Sequence, residues 1–499
     1  MMPTGRGFAG LASLGIFAVL YILRLTLDGP LVSSTNNAIH TGASATSTAN
    51  KNRGSNGHDE YAYWYYKEAS VQAFTELAQQ MSDFENLNEV LLGLADTFLS
   101  DILLKHMLHA SNQMPPVGGF PPRGKLNCKD TKYASVLSGA KDKNAPKRII
   151  DIIGFGFDPD ILEVRLLEYY DLVDHFVIFE QDKAHRGFHK GFWLESLLRT
   201  KRFERFMDKI TYIPYTVPNN LIPKNRAPQK FDWSLEGIMR EIPIQHLKNT
   251  TFADMADEAK DNFYILQNDG DEIMSRKALA HFQQCELLTT IKYPIYAPAP
   301  TWKRNSAWMF HTYDMKGLPI GGEDLQYGEL RDYLWRLGPT LWRWKDVEAE
   351  GSTIRGKSNQ GSTHLGLGAA NHFSSPGHAI LEFIKGFTTV DSRFAGKSVE
   401  FWKRARDGQL NYDVDLNGFL LNFCDQAKQN KYSSRFPTIH VHAAVDKRTQ
   451  DFVVQSLPWA LTSLKPYRYP YLYHPNLADE EAQMVQNMCG FSVQEQAKK

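Results

Sequence analysis

Four short apolar runs alternate with stretches of helical period between residues 148 and 285, and this constrains the fold more than any other feature. The runs are 148–157 (RIIDIIGFGF), 175–180 (HFVIFE), 209–217 (KITYIPYTV) and 262–267 (NFYILQ). Residues 160–172 and 231–248 carry helical periodicity between them, the latter through Leu235, Ile238, Met239, Ile242 and Leu247, with Pro243 expected to kink or stop it. A further helix is expected over 275–285. Continuous apolar strands separated by helices predict an α/β domain with a mostly parallel sheet, covered on both faces. Ligands of such sheets bind beyond the carboxyl ends of the strands, so the residues just after each run are where chemistry is expected.

The chain has 499 residues, of which 42% are hydrophobic and 22% charged, so a sizeable core is within reach and wholesale disorder is excluded. Lys+Arg and Asp+Glu both number 56, and this balance argues against a nucleic-acid partner. The four cysteines, Cys128, Cys285, Cys424 and Cys489, lie far apart. Their spacing gives no zinc site and leaves one or two disulfides open, with pairing undetermined.

Composition divides the rest. Residues 8–23 (FAGLASLGIFAVLYIL) carry no charge and lie between Arg6 and Arg24. From Gly7, about 20 residues would span a thin bilayer with Arg24 snorkelling. A cleaved signal peptide is the alternative, but the nearest Ala-x-Ala, at Ala43 and Ala45, lies well downstream. An uncleaved single-pass anchor with the main domain lumenal is therefore expected. The domain plan is 1–30 tail and anchor, 31–58 flexible linker, 59–112 helical stem, 113–147 linker, 148–478 main domain and 479–499 tail. The stem helices repeat apolar residues at Val71, Phe74, Leu77 and Met81, and later at Leu91, Leu94, Phe98 and Ile102. They fit either self-association or packing on the main domain.

Two motifs follow strands. Gly154 and Gly156 could open a dinucleotide fingerprint, but the third glycine position holds Pro159, which excludes it. The run ending at Gln267 leads directly into Asn268-Asp269-Gly270-Asp271-Glu272. Hard carboxylate oxygens at this density suit Mn²⁺ or Mg²⁺, and such an ion can bridge a diphosphate. The glycine would let backbone and phosphate approach closely. The loop lacks the spacing of an EF-hand.

Residues 157–181 (FDPDILEVRLLEYYDLVDHFVIFEQ) together with NDGDEI at 268–273 resemble glycosyltransferase family 17. Leu162, Glu163, Arg165, Val173, Asp174, Phe176, Val177 and Glu180 fit the first block, and Asp269, Asp271, Glu272 and Ile273 the second. A later family segment, Gly-Gly-Trp-His-Phe-Ser, is similar to 369–374 (AANHFS), with Trp and both glycines absent. The resemblance spans roughly 148–475. It implies a GT-A-like fold and an inverting transferase of the β-1,4-mannosyl-glycoprotein 4-β-N-acetylglucosaminyltransferase type. The implied donor is UDP-GlcNAc, the acceptor a glycan on glycoprotein or glycolipid, and the compartment the Golgi membrane, with endoplasmic reticulum or secretion as alternatives.

An inverting transfer needs a base for the acceptor hydroxyl and a cation for the leaving diphosphate. Asp269 and Asp271 are expected at the nucleotide and metal, Asp271 as direct ligand, with His372 as a third ligand or phosphate contact. Glu180, with Lys183, Arg186 and Lys190 in the basic loop after it, is the expected donor-binding set. Arg165 is expected to pair with the acids around Glu163 or with Asp174. Catalytic carboxylates are sought at Asp271 and Glu272 and, for the base, at Glu323 and Asp324. Trp302, Trp308, Trp335, Trp342 and Trp344 form a candidate sugar platform. Asn249 opens the Asn-Thr-Thr glycosylation sequon. Two other readings remain: a degenerate transferase fold that binds glycans or acts as a scaffold, and a transferase using UDP-galactose or GDP-mannose.

Overall fold

The computed structural model describes residues 75, 126–185, 187, 189–222, 234–297, 301–303, 307–309, 339–351, 363–365, 369–375, 404, 406–409, 438–440 and 457–463. The expected anchor, the 31–58 linker and, apart from Thr75, the stem lie outside them, as do Glu323, Asp324, Trp335 and Arg186. Among the described residues no helix is long and apolar enough to cross a membrane.

The strands in chain order are β1 (Leu137–Lys141), β2 (Arg148–Gly154), β3 (His175–Gln181), β4 (Ile210–Tyr215), β5 (Phe263–Asp269), β6 (Glu272–Met274) and β7 (Cys285–Leu287). They continue as β8 (Ile295–Tyr296), β9 (Thr301–Lys303), β10 (Ala307–Met309), β11 (Thr340–Arg343), β12 (Thr363–His364), β13 (Ala370–Ser375) and β14 (Thr438–His440). The largest sheet has seven strands in the order β12-β8-β11-β5-β2-β3-β4. Its core, β5-β2-β3-β4, is wholly parallel, as the alternation predicts. β11 runs antiparallel to β5. The fold is mixed α/β with a central, largely parallel sheet and flanking helices.

Alternation along β2 assigns the two faces. Ile150 and Ile152 pack with Val177, Ile265, Trp342 and Trp344 and with Ile244 and Leu247 of the Ser234–Asn249 helix. That helix continues through Pro243, so of the expected kink or stop the stop does not occur. Asp151 points to the opposite face, where the fully buried Pro159–Tyr169 helix lies and Arg165 meets it. The expected 275–285 helix runs Arg276–Gln284, with Ser275 as its cap: the Ser275 hydroxyl accepts from the Ala278 amide at 3.2 Å.

Two smaller sheets complete the described fold. β1 and β7 pair antiparallel, and a disulfide joins Cys128 to Cys285 at the start of β7. That settles one pairing the sequence leaves open. The five-stranded sheet has the order β14-β10-β9-β13-β6. Its edge strand β6 begins one residue after Asp271, so the acidic turn links the large sheet to this one.

Candidate active site

β5 ends at Asp269 and β6 starts at Glu272, leaving Gly270 and Asp271 as the turn between two sheets. The pairing of β13 with β6 sets His372 opposite Glu272, and the Phe373 amide donates to the Asp271 carbonyl at 2.8 Å. This register brings His372 Nε2 to 3.8 Å from Asp271 Oδ1, with the two side chains 14% and 13% exposed. Two residues about a hundred positions apart in sequence thus meet at the carboxyl edge of the parallel sheet.

Asp269 faces another way. Its side chain is 39% exposed, and Arg240 of the Ser234–Asn249 helix donates to its Oδ1 at 3.3 Å. Arg240 also pairs with Glu236 one turn earlier. The Glu272 carboxylate is buried and accepts from the Asp269 amide at 3.2 Å, closing the turn on itself. This gives Glu272 a turn-fixing contact where the sequence reading seeks a catalytic group. Gly270 is needed for packing: a Cβ there would lie 3.1 Å from the Gly154 carbonyl. The structure thus ties this glycine to strand packing, whereas the sequence reading ties it to phosphate approach.

The expected donor-binding cluster after β3 is differently disposed. The Glu180 carboxylate is buried and accepts from Lys190 Nζ (2.6 Å), the Trp193 and Leu194 amides (2.9 and 3.1 Å) and the Tyr212 hydroxyl (2.7 Å). It caps the Trp193–Leu198 helix and neutralises Lys190, whose ammonium also sits among the Phe155, Phe157 and Trp193 rings. Lys183 donates to Asp182 at 2.7 Å and contacts His189 Nδ1 at 3.0 Å. Glu180 and Lys190 hold each other rather than a ligand, because every carboxylate oxygen already accepts a hydrogen bond in a dry site.

Arg165 is corrected in the same way. Its partner is Asp151, not Asp174 or the acids near Glu163. Glu163 pairs with Arg202 and Arg205, and Asp174 with Arg148. Burial disfavours the Arg165 charge, but the Asp151 carboxylate more than restores it and raises its pKa. Trp342 and Trp344 are buried, and Trp344 stacks on Phe252 at 3.8 Å, so both serve the core and not a sugar platform. Asn249 is exposed at the end of its helix.

The donor set fits a divalent cation in one respect. A separation of 3.8 Å is shorter than two metal–ligand bonds of about 2.1 Å each, so one ion can touch both Asp271 and His372. Among the described residues no group of three or more His, Cys, Asp or Glu side chains assembles for a metal. Mg²⁺-type sites ordinarily use one or two protein groups and take further oxygens from substrate phosphates and water.

Residues 122–293 match the family model described as Glycosyltransferase family 17. The match supports membership of glycosyltransferase family 17 for this segment. The match takes in the parallel sheet and the Asp269–Asp271 turn and ends before β13 and His372. No curated protein matches the chain. A glycosyltransferase family implies a sugar donor and a glycan acceptor. Arg240 is the residue of this site that sequence reasoning missed. Its place beside the apolar stripe of a helix carries no local mark of the acid it reaches.

Proposed function

We propose that the protein is an inverting, metal-dependent glycosyltransferase that moves N-acetylglucosamine from UDP-GlcNAc to a glycan on glycoprotein or glycolipid. The observation that carries this reading is the convergence of Asp271 and His372 at the carboxyl edge of a parallel sheet within a family 17 fold. Mn²⁺ or Mg²⁺ would be held there by these two side chains. When bound, such an ion supplies Lewis-acid stabilisation to the departing diphosphate. Asp269 faces another way at the same turn and pairs with Arg240, whose guanidinium would be available to neutralise a diphosphate bound there. Glu272 keeps the turn closed. The base for the acceptor hydroxyl is sought at Glu323 and Asp324. This reading includes a single-pass Golgi location with a lumenal domain, supported by the short apolar run at 8–23 and by the family resemblance; the exposed sequon at Asn249 is consistent with it.

Turnover measured with Mn²⁺ against UDP-GlcNAc, UDP-galactose and GDP-mannose tests the reading. UDP-GlcNAc is expected to be the substrate. Asp271→Asn should lower kcat/KM at least about 100-fold, since an ion of this kind contributes several kcal/mol to the transition state. Undiminished turnover in that variant refutes the metal role. Glycan binding by calorimetry without any nucleotide-sugar binding would replace the enzyme by a lectin-like module.

A further inference from the structure

Arg165 has contacts that neither catalysis nor ordinary core packing requires. Its Nε and Nη2 donate to the two oxygens of Asp151 at 2.8 and 2.6 Å, and both side chains are buried. The remaining nitrogen, Nη1, donates to the Asp269 carbonyl at 2.7 Å and the Glu272 carbonyl at 3.0 Å, and reaches the Gly270 carbonyl at 3.5 Å. Burying an ion pair is costly in water removed from both charges, and it is offset only where every remaining donor finds an acceptor. Here those acceptors are the backbone carbonyls of the acidic turn. A turn whose carbonyls are held inward presents its side chains on the other side.

Two further features complete the clamp: the Glu272 carboxylate accepts from the Asp269 amide, and the β2–β5 register sets Gly154 beside Asp269. Arg165 joins the turn to the helix and to β2 at once. A planar guanidinium can do this because its donors diverge in a fixed fork, two to a carboxylate and one pair onward. A lysine ammonium could keep the charge on Asp151 but not all of these directions.

We propose that Arg165, seated on Asp151, is a positioning residue that fixes the Asp269–Glu272 turn so that Asp271 meets His372, and so sets the affinity of this edge for a divalent cation and diphosphate. The proposal rests on the metal-dependent reading above. It assigns to a buried pair outside the site the control of a property read at the site.

The test uses the full chain and measures Mn²⁺ binding in the presence of UDP by electron paramagnetic resonance of free Mn²⁺. Urea titrations run beside it. Arg165→Lys should bind Mn²⁺ about 10–100-fold more weakly, the usual loss when a residue behind a metal ligand is removed. The double variant Arg165→Gln/Asp151→Asn exchanges two buried charges for a neutral amide pair, so it leaves no uncompensated charge to unfold the chain. It should show the same loss. A merely structural role would lower the urea midpoint and leave Mn²⁺ affinity of the folded protein at the parent value, which overturns the proposal. Asp271→Asn separates the two ideas. If it abolishes Mn²⁺ binding while the Arg165 variants bind normally, the metal reading stands and the positioning role falls. If Asp271→Asn itself binds normally, the metal reading falls and takes the positioning role with it.

Discussion

The carboxyl ends of β3 and β5 lie in one parallel sheet and carry carboxylates in similar sequence surroundings, yet the structure treats them in opposite ways. At β3, Glu180 is buried, accepts four hydrogen bonds and holds Lys190 at 2.6 Å. At β5, Asp269 is 39% exposed, and Asp271 has His372 at 3.8 Å, beyond hydrogen-bond reach. The first edge has used its charge to cap a helix and fill a core. At the second, Asp269 is partly exposed beside Arg240, and Asp271 is largely buried beside His372. Carboxylates that follow apolar strands in one sheet are thus placed differently by the elements packed around them.

The comparison can be broken at Glu180. Replacing it by Ala leaves the Lys190 ammonium buried without its carboxylate, a change that costs about 3–5 kcal/mol in comparable buried pairs. Urea unfolding should show that loss, while the folded fraction keeps its affinity for UDP and Mn²⁺. A variant with parental stability and lost donor affinity would make the β3 edge a ligand site after all.

A smaller effect sharpens the view of the β5 edge. A Cβ at Gly154 would lie 2.6 Å from the Met239 sulfur, on the helix that carries Arg240 one residue later. Gly154→Ala must displace that flexible side chain, so the cost is expected at or below the lower end of the overpacking range, about 1 kcal/mol. Because Met239 neighbours Arg240, its rearrangement should also perturb the Arg240–Asp269 contact. The expected outcome is a lower urea midpoint together with a raised KM for the donor. Loss of stability with an unchanged KM would show that Arg240 contributes nothing at this edge.

The same contrast explains what the sequence could and could not disclose. Of the four parallel strands, β2, β3 and β5 are legible because both their faces are buried, so Ile149, Ile150, Ile152 and Ile153 flank Asp151 in a mostly apolar run. The acidic turn is legible because it directly follows such a run. His372 is singled out by family resemblance, but its place beside Asp271 is set by pairing between β6 and β13, two short strands far apart in the chain. Short strands carry almost no periodic signal. The partner of Arg165 is illegible for a related reason: Asp151 interrupts an apolar strand and reads as an anomaly until the helix opposite it is placed. Glu163, only two residues from Arg165 and the nearer guess, is already taken by Arg202 and Arg205.

A third buried carboxylate shows what happens when satisfaction is only partial. Glu168, near the end of the Pro159–Tyr169 helix, is as buried as Glu180. It accepts from the Trp459 amide at 2.8 Å and so caps the short Trp459–Thr462 helix. Its nearby cation, Arg276, gives its short bonds elsewhere: to the Glu168 carbonyl at 2.7 Å and the Asp171 carboxylate at 2.6 and 2.8 Å. Burial therefore pushes the Glu168 carboxyl up to about 7, with Arg276 and the backbone amides only partly opposing it. The sign follows from proton counts. Between the ordinary carboxylate value of 4.5 and about 7, the folded protein holds a proton that the unfolded chain has released. Stability from this group is thus greatest below that window and falls as pH rises through it, by at most about 1.4 kcal/mol for each pH unit. Urea midpoints of the parent should decline across the window relative to those of Glu168→Gln, which cannot ionise. Parallel curves for the two proteins would mean that Glu168 is charged in the fold and that a peptide cap without a close cation suffices to keep a carboxylate ionised.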